Sequence, residues 1–309
     1  MKTKIVITGS EGTVGPHLAA YLKKQNPENE IIRCDRIKLR DINYVMADIN
    51  YYETLRNVLD KDVDIVYHLA GEVSRESGDE LPGKTIESNL VGLNNIIQYC
   101  LEYNIKLIFT STSEVYGDYL SDGRYVTEDL LDNYPIKAKN IYGLTNFMGE
   151  QLIEYYWRMY GLNAKIVRLF MSYGPGCRPG PYMGAISRFI DWARKNEPIQ
   201  IHKGGLRSHY YVKDIARGIA MVGNSISVGC DLNRYNIGRN EEWSMEAIAV
   251  RIIELMNSDS KIVFVPPHPS TSLVKRASFD KIKQHLGWES TMEFDEGLGK
   301  AIEWQIQNT

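Results

Sequence analysis

Two stretches of this 309-residue chain carry residues suited to chemistry. The first is Thr8-Gly9-Ser10-Glu11-Gly12-Thr13-Val14-Gly15, which follows the apolar run Lys4-Ile5-Val6-Ile7 and opens an amphipathic stretch. That order reads as strand, tight turn, helix. Glycines there let the backbone close on a pyrophosphate, and the helix N-terminus offers unpaired N–H groups and a positive dipole end. A second apolar run, Ile31-Ile32-Arg33-Cys34, ends in Asp35, about 20 residues past the last glycine, where an acid grips the ribose hydroxyls of a dinucleotide. Asp35 repels a 2′-phosphate and favours NAD over NADP, while Arg36 beside it pulls the other way. The second stretch is Thr110-Ser111-Thr112-Ser113-Glu114-Val115-Tyr116-Gly117, whose hydroxyls and carboxylate close another apolar run. At the carboxyl end of a strand they face the same crevice as a dinucleotide. Tyr142 then starts a helical stretch, with Asn146 one turn on and on the same face.

Positioning these groups requires a regular scaffold. Apolar runs at 4–8, 31–34, 64–69, 106–110 and 165–170 predict strands, and helical patterns lie near 14–25, 51–60, 84–103 and 140–160. Alternating β and α units predict an α/β, Rossmann-type doubly wound parallel sheet with ligands at the carboxyl ends of its strands. After residue 170 the pattern changes to a Gly- and Pro-rich stretch, a helix near 185–196, and short elements including Trp243–Met256 and Phe279–Leu286. The expected division is a dinucleotide domain over 1–170 with returning segments near 206–240. A smaller mixed α/β substrate lobe, mainly 171–309, completes it, with a cleft between.

Bulk composition narrows the classes. A formal net charge of −3 provides no basic field for nucleic acid, and 43% hydrophobic content suffices for a large core. No apolar run approaches the ~18 residues needed to span a bilayer, and the chain enters a strand directly, so a cytoplasmic location is expected. Cys34, Cys100, Cys177 and Cys230 form no Cys-x-x-Cys pair, which predicts reduced thiols and no metal site.

Together, the glycine turn, the Thr-Ser-Glu segment and Tyr142 resemble the extended short-chain dehydrogenase/reductase family, specifically its nucleotide-sugar epimerases, dehydratases and decarboxylases. Further matches run along nearly the whole chain: Asp48-Ile49, His68-Leu69-Ala70-Gly71, Asn89 with Gly92 and Asn95, and Arg168-Leu169-Phe170 before Tyr173-Gly174-Pro175. Beyond them come Arg207 with Tyr211-Val212 and Asp214, and Arg276 with Asp280 and Leu286-Gly287-Trp288. The resemblance implies NAD bound by Gly9, Gly12, Thr13, Val14, Gly15, Asp35, Arg36, Asp48, Ile49, Leu69, Ala70, Gly71, Asn89, Thr110, Tyr142 and Asn146. It also implies oxidation at C4 of a nucleotide-diphosphate sugar to a 4-keto intermediate. Tyr142 is then the base, Thr112 orients the C4 oxygen, and Ser113 stands beside them. Glu114 assists at C5 as in dehydratases and decarboxylases, against the alternative of a solvated or capping glutamate. Ser74, Met171, Arg207 and Arg276 are the implied substrate contacts; the two arginines fit nucleotide diphosphate or ribose, with a surface ion pair as the lesser alternative for each. A homodimer through the helices near 84–103 and 140–160 is also implied. Ile96, Ile97, Leu152 and Tyr156 are the apolar positions there, and core packing explains them equally well.

Two positions depart from the family pattern. Where it reads Tyr-x-x-x-Lys, this chain has Tyr142-Gly143-Leu144-Thr145-Asn146, and no other tyrosine has a lysine four residues on. The lysine binds the nicotinamide ribose and lowers the tyrosine pKa from near 10, below which an unassisted phenol is about 0.1% ionised at neutral pH. Asparagine keeps a hydrogen bond but brings no charge; Lys139, one turn earlier, is a candidate substitute. Met171 replaces an asparagine that contacts substrate. The expected function is therefore NAD-dependent modification of a nucleotide sugar, by dehydration, decarboxylation or epimerisation. Two alternatives stand: a catalytically silent relative that binds NAD and a sugar nucleotide and acts through partners, and an oxidoreductase on a smaller alcohol.

Overall fold

The computed structural model describes residues 2–73, 75–120, 124–180, 184–227, 229–267 and 271–309. Its first part alternates as the apolar runs require. Strand β1 (Lys4–Thr8) leads through the glycine turn into α1 (Gly15–Gln25), then β2 (Glu30–Asp35), β3 (Tyr44–Met46) and β4 (Ile65–His68). Helices α2 (Arg75–Glu80), α3 (Pro82–Ile86) and α4 (Gly92–Glu102) precede β5 (Lys106–Thr112). A short helix α5 (Leu130–Asn133), the long α6 (Ile141–Tyr160) and β6 (Ala164–Leu169) follow.

The remainder is built from shorter pieces: β7 (Met171–Tyr173), α7 (Ala185–Arg194), β8 (Ile199–His202), β9 (Leu206–Arg207), β10 (His209–Tyr211), α8 (Val212–Asn224) and β11 (Arg234–Ile237). Then come β12 (Trp243–Ser244), α9 (Met245–Met256), β13 (Ile262–Val265), β14 (Val274–Lys275), α10 (Asp280–Leu286) and α11 (Phe294–Asn308).

Seven strands pair in the order β11-β6-β5-β4-β1-β2-β3, every pair parallel. Strand order reverses between β1 and β4, the switch point at which parallel α/β sheets bind ligands. Fully buried runs such as Ile5-Val6-Ile7 and Leu107-Ile108 reflect a sheet covered on both faces. One core joins Ile7, Leu18 and Ile108 to Ile215 and Ile219 of α8. The other joins Val6, Leu55, Val66, Leu93, Ile96 and Ile97. A third core, with Phe189, Ile190, Ile248, Ile252, Phe294 and Leu298, holds α7, α9 and α11 around three small sheets.

The structure corrects three local expectations. The helical pattern at 51–60 is a 3-10 turn over Tyr52–Asn57 with Leu55 as its buried residue, too short an apolar face for an α-helix. Strand β3 follows an exposed, charge-rich loop and is only three residues long, which hid it. The helix expected over 84–103 is interrupted by a π-turn at Glu87–Val91 that carries Asn89; such turns displace a side chain from the regular helical repeat.

Two histidines are sealed in the interior. His68 on β4 shares a hydrogen bond of 2.7 Å with the Thr8 hydroxyl, and burial pushes its pKa down to about 4. His209 has neither ring nitrogen bonded among the described residues, and burial, then Arg207 and Lys275, push it down to about 3. An unfolded imidazole titrates near 6.5, so the unfolded chain takes up these protons first as pH falls. Stability should therefore be complete above about pH 6.5 and decline below it, by about 1.4 kcal/mol per pH unit per histidine down to the buried values. Thermal melts from pH 8 to 4 measure this, and His209→Phe should shallow the acid limb by about one proton's share.

Candidate active site

A cavity of about 420 Å³ opens at the carboxyl edge of the sheet, over the β1/β4 switch point. The glycine turn (Gly9, Gly12, Thr13, Val14, Gly15), Leu69, Ala70, Gly71 and Asn89 form one side. Thr110, Thr112, Ser113, Glu114, Tyr142, Asn146 and Met171 form the middle, and Ile186, Ser187, Ile190, Ala301 and Gln305 of α7 and α11 close the far end.

The glycine turn leaves no room for side chains. Gly9 has φ +66°, and a Cβ there would stand 2.6 Å from the Ala70 nitrogen; one on Gly15 would stand 2.3 Å from the Ser10 carbonyl oxygen. No side chain caps the start of α1 and no acid lies in its first turn, so that end remains suited to an anion. Asp35 is fixed beside the turn, its two oxygens accepting from the Glu11 N–H (3.1 Å) and the Arg36 N–H (2.8 Å). These features fit a dinucleotide pyrophosphate and adenosine ribose. Asp35, Arg36, Asp48 and Ile49 lie beyond the cavity wall, on the β2/β3 side. Arg36 is bonded to Glu72 at 3.2 Å, and the same Glu72 oxygen takes Lys84 at 3.0 Å.

Asn89 works as a clamp. Its carbonyl oxygen accepts from the Glu72 N–H (2.8 Å) and its amide donates to the Thr145 hydroxyl (3.1 Å), tying the loop after β4 to α6. The Thr110 hydroxyl donates to the His68 carbonyl oxygen (3.0 Å), a tie between β5 and β4.

Tyr142 sits in the first turn of α6. Asn140 caps that helix, accepting from the Gly143 N–H at 2.7 Å, and Gly161 (φ 71°) ends it. The cap fixes the first turn of the helix, and Tyr142 lines the cavity together with Thr112. Burial pushes the phenol's pKa up to about 12; the Thr112 hydroxyl opposes this and the Glu114 charge adds to it. Asn146 donates its amide to the Tyr142 carbonyl oxygen of its own helix (2.9 Å), and Lys139 is paired with Asp118 at 3.2 Å. Lys139, the candidate substitute cation, thus has an acidic partner of its own.

Glu114 is buried and held from two sides. Lys275 bonds one carboxylate oxygen, and the Asn140 amide donates to the other at 3.3 Å. Arg207 is also buried; it donates to the Ser272 carbonyl oxygen (2.7 Å) and does not line the cavity. Arg276 is an ion-pair partner of Glu242 (2.7 Å), set over the Tyr125 ring and outside the cavity wall. Met171 lines the cavity in register with His209 on the neighbouring strand. Ser74 lies outside the described residues.

Sequence reasoning missed Asn140, Lys275 and the Glu150–Arg168 pair. An Asn just ahead of a helical pattern was a readable cap signal for the first. Lys275 carried none, because 161 residues separate it from Glu114.

Relatives of known type fit this arrangement. The sequence profile described as "NAD dependent epimerase/dehydratase family" matches residues 5–238. The chain is 31% identical over 304 residues to UDP-glucuronic acid decarboxylase 6 of Arabidopsis thaliana, covering 96% of this chain and 86% of that protein. It is 30% identical over 339 residues to a UDP-N-acetyl-alpha-D-glucosaminuronate decarboxylase of Bacillus cytotoxicus, covering all of both. The fold is that of UDP-glucuronic acid 4-epimerase from Bacillus cereus, solved with UDP-glucuronic acid and NAD (TM-score 0.86, 24% identity, 99% of each chain). It is equally that of UDP-glucose 4-epimerase from Thermus thermophilus, solved with NAD (TM-score 0.87, 22% identity, 99% of this chain and 100% of that one). No helix among the described residues is long and apolar enough to cross a membrane. With the profile spanning both the glycine turn and the tyrosine helix, the chain belongs to the NAD-dependent epimerase/dehydratase family, whose cofactor is NAD and whose homologous members here are nucleotide-sugar epimerases, decarboxylases and dehydratases.

Proposed function

We propose that this protein modifies a nucleotide-diphosphate sugar by way of a 4-keto sugar, with Tyr142 taking the proton from the C4 hydroxyl. The observation that carries the reading is that Tyr142 and Thr112 line one cavity together with the glycine turn. NAD, held by the glycine turn, Asp35 and the segment 69–71, supplies the hydride acceptor when bound. Thr112 orients the C4 oxygen towards the phenol, and Ser113 lines the wall beside it. Glu114 reaches the same cavity and serves chemistry at C5, which a C4 ketone acidifies; this supports dehydration or decarboxylation over simple epimerisation. Isoleucines 186 and 190 and the amide of Gln305 at the far end provide length and an apolar wall for the nucleotide half. A homodimer belongs to the same reading. Ile96 and Ile97 are spent in the subunit core, so the outward Val91, Met148, Tyr155 and Met159 would furnish its contact.

One observation favours the silent, sugar-nucleotide-binding alternative. Burial holds the phenol well above its usual range, with Asn146 turned to its own helix and Lys139 bound to Asp118, so no cation among the described residues is shown assisting its ionisation. A panel of UDP-, dTDP-, GDP- and CDP-sugars, followed at 340 nm with products read by NMR, separates the two. Binding by thermal shift without any turnover across the panel favours the silent form.

Tyr142→Phe should cut turnover by about 10²–10⁴-fold, the usual worth of a general base, with NAD affinity nearly unchanged by calorimetry. Asn146→Lys should move the kinetic pKa of the proton step downward and speed hydride transfer by up to about tenfold per pKa unit. A slower Asn146→Lys enzyme would mean that asparagine is an adapted part of the mechanism. Glu72→Gln should release Arg36 and Lys84 towards a 2′-phosphate; the pairs are half-exposed, so the gain in NADP⁺ affinity should be about three- to tenfold. Fluorescence titration with NADPH and NADH measures it, and an unchanged ratio assigns the discrimination to Asp35 alone.

A further inference from the structure

Lys275 lies far from the family's motif residues in sequence, yet its side chain is 2% exposed and meets Glu114, itself 6% exposed. Burying an ammonium without purpose is costly, so its destination is informative. Glu114 stands directly against the first turn of α6. A Cβ on Gly143 would approach the Glu114 carbonyl oxygen to 2.6 Å. Asn140 bonds both the Glu114 carboxylate (3.3 Å) and the Gly143 N–H (2.7 Å). The Glu114 N–H donates to the Thr112 hydroxyl oxygen at 3.2 Å, and Thr112 lines the cavity with Tyr142. Glu114 is thus fixed against Thr112 and the first turn of α6, its carboxylate held by Asn140 and Lys275, and its charge opposes ionisation of Tyr142.

We propose that Lys275 is a positioning residue for the Tyr142 proton step: its ammonium holds and offsets the Glu114 carboxylate, so the phenol releases its proton without an unbalanced anion beside it. This rests on the reading of Tyr142 as the proton acceptor. Part of the electrostatic work absent at Asn146 is thereby done from β14, through Glu114 and not by contact with the phenol. Other charged groups face this corner from each packed element. Arg207 lies opposite Lys275 in the β9/β14 register, and His209 follows on β10. Asp79 of α2 accepts from the Ile141 N–H (3.0 Å), and the Lys139–Asp118 pair flanks the helix start. Of all these groups, Glu114 is the one whose charge bears on the phenol.

The test places 3,5-difluorotyrosine at position 142 of the full-length protein with NAD⁺ present. Fluorination lowers the phenol's intrinsic value into a range where the fold survives, and ¹⁹F NMR follows its titration without any sugar. Lys275→Met should raise the midpoint by about one pH unit or more, Lys275→Arg should leave it near the parent, and Lys275→Met with Glu114→Gln should bring it back. With a turned-over sugar nucleotide, Lys275→Met should also lose about tenfold in rate at pH 7 and regain it as pH rises. A midpoint unmoved in Lys275→Met, or equally displaced in the double variant, overturns the proposal. Should Lys275→Met not fold, Lys275→Gln is read by the same titration. The NMR result stands even when no sugar nucleotide is converted, so failure here is separable from failure of the proposed function.

Discussion

A buried ion pair fixes the geometry on which the cavity depends. Arg168 of β6 and Glu150 of α6 are 1% and 0% exposed and meet at 2.7 Å, with the guanidinium forking across both carboxylate oxygens. Glu150 also accepts from the Ser111 hydroxyl (2.6 Å) on β5. Arg168 goes on to the Tyr116 hydroxyl and the Glu128 carbonyl oxygen, and Tyr116 to Asn236 of β11. Replacing such a pair with apolar groups is often neutral, whereas removing one partner costs about 3–5 kcal/mol, so its value lies in specificity of arrangement. Tyr142, Asn146 and Glu150 are spaced four apart on one face of α6. Anchoring Glu150 to β5 and β6 therefore sets the rotation of the helix that presents the phenol. Ser111 and Thr112 are adjacent on β5, so one strand carries both the anchor and a hydroxyl that lines the cavity with the phenol.

Much of this was readable because it is local. Apolar runs bounded by turn residues predicted five strands of the parallel sheet, and the glycine turn announced its own close approach to the chain after β4. The segment Thr112-Ser113-Glu114 and Tyr142 come together as their positions at the ends of β5 and the start of α6 required. What escaped was set by tertiary contact. Lys139 is a turn from Tyr142 in sequence, yet Asp118 holds it. Lys275 is 161 residues from Glu114 and touches it. Arg276 carries a guanidinium suited to phosphate, but Glu242 takes it in this structure. Charge identity is visible in a sequence; which opposite charge satisfies it is not.

The cavity joins a region built by backbone around the glycine turn to a region built by side chains around Tyr142. Around the glycine turn, tight backbone contacts leave little freedom for substitution. Around Tyr142, side chains set the character, with an amide at 146 and a thioether at 171. Reaction preference is expected to reside in that second region, since the first binds a cofactor common to the family.

The far wall of the cavity comes from α11, through Ala301 and Gln305, the latter donating to the Ser187 carbonyl oxygen at 2.9 Å. The sheet likewise lacks its seventh strand until residues 234–237 arrive. During synthesis, the cofactor turn thus emerges hundreds of residues before the pocket it serves can close. A nascent chain would carry a nearly finished dinucleotide fold with an open, partly apolar flank, and completion of the binding chamber would coincide with the last helix docking rather than with folding of the motif-bearing half.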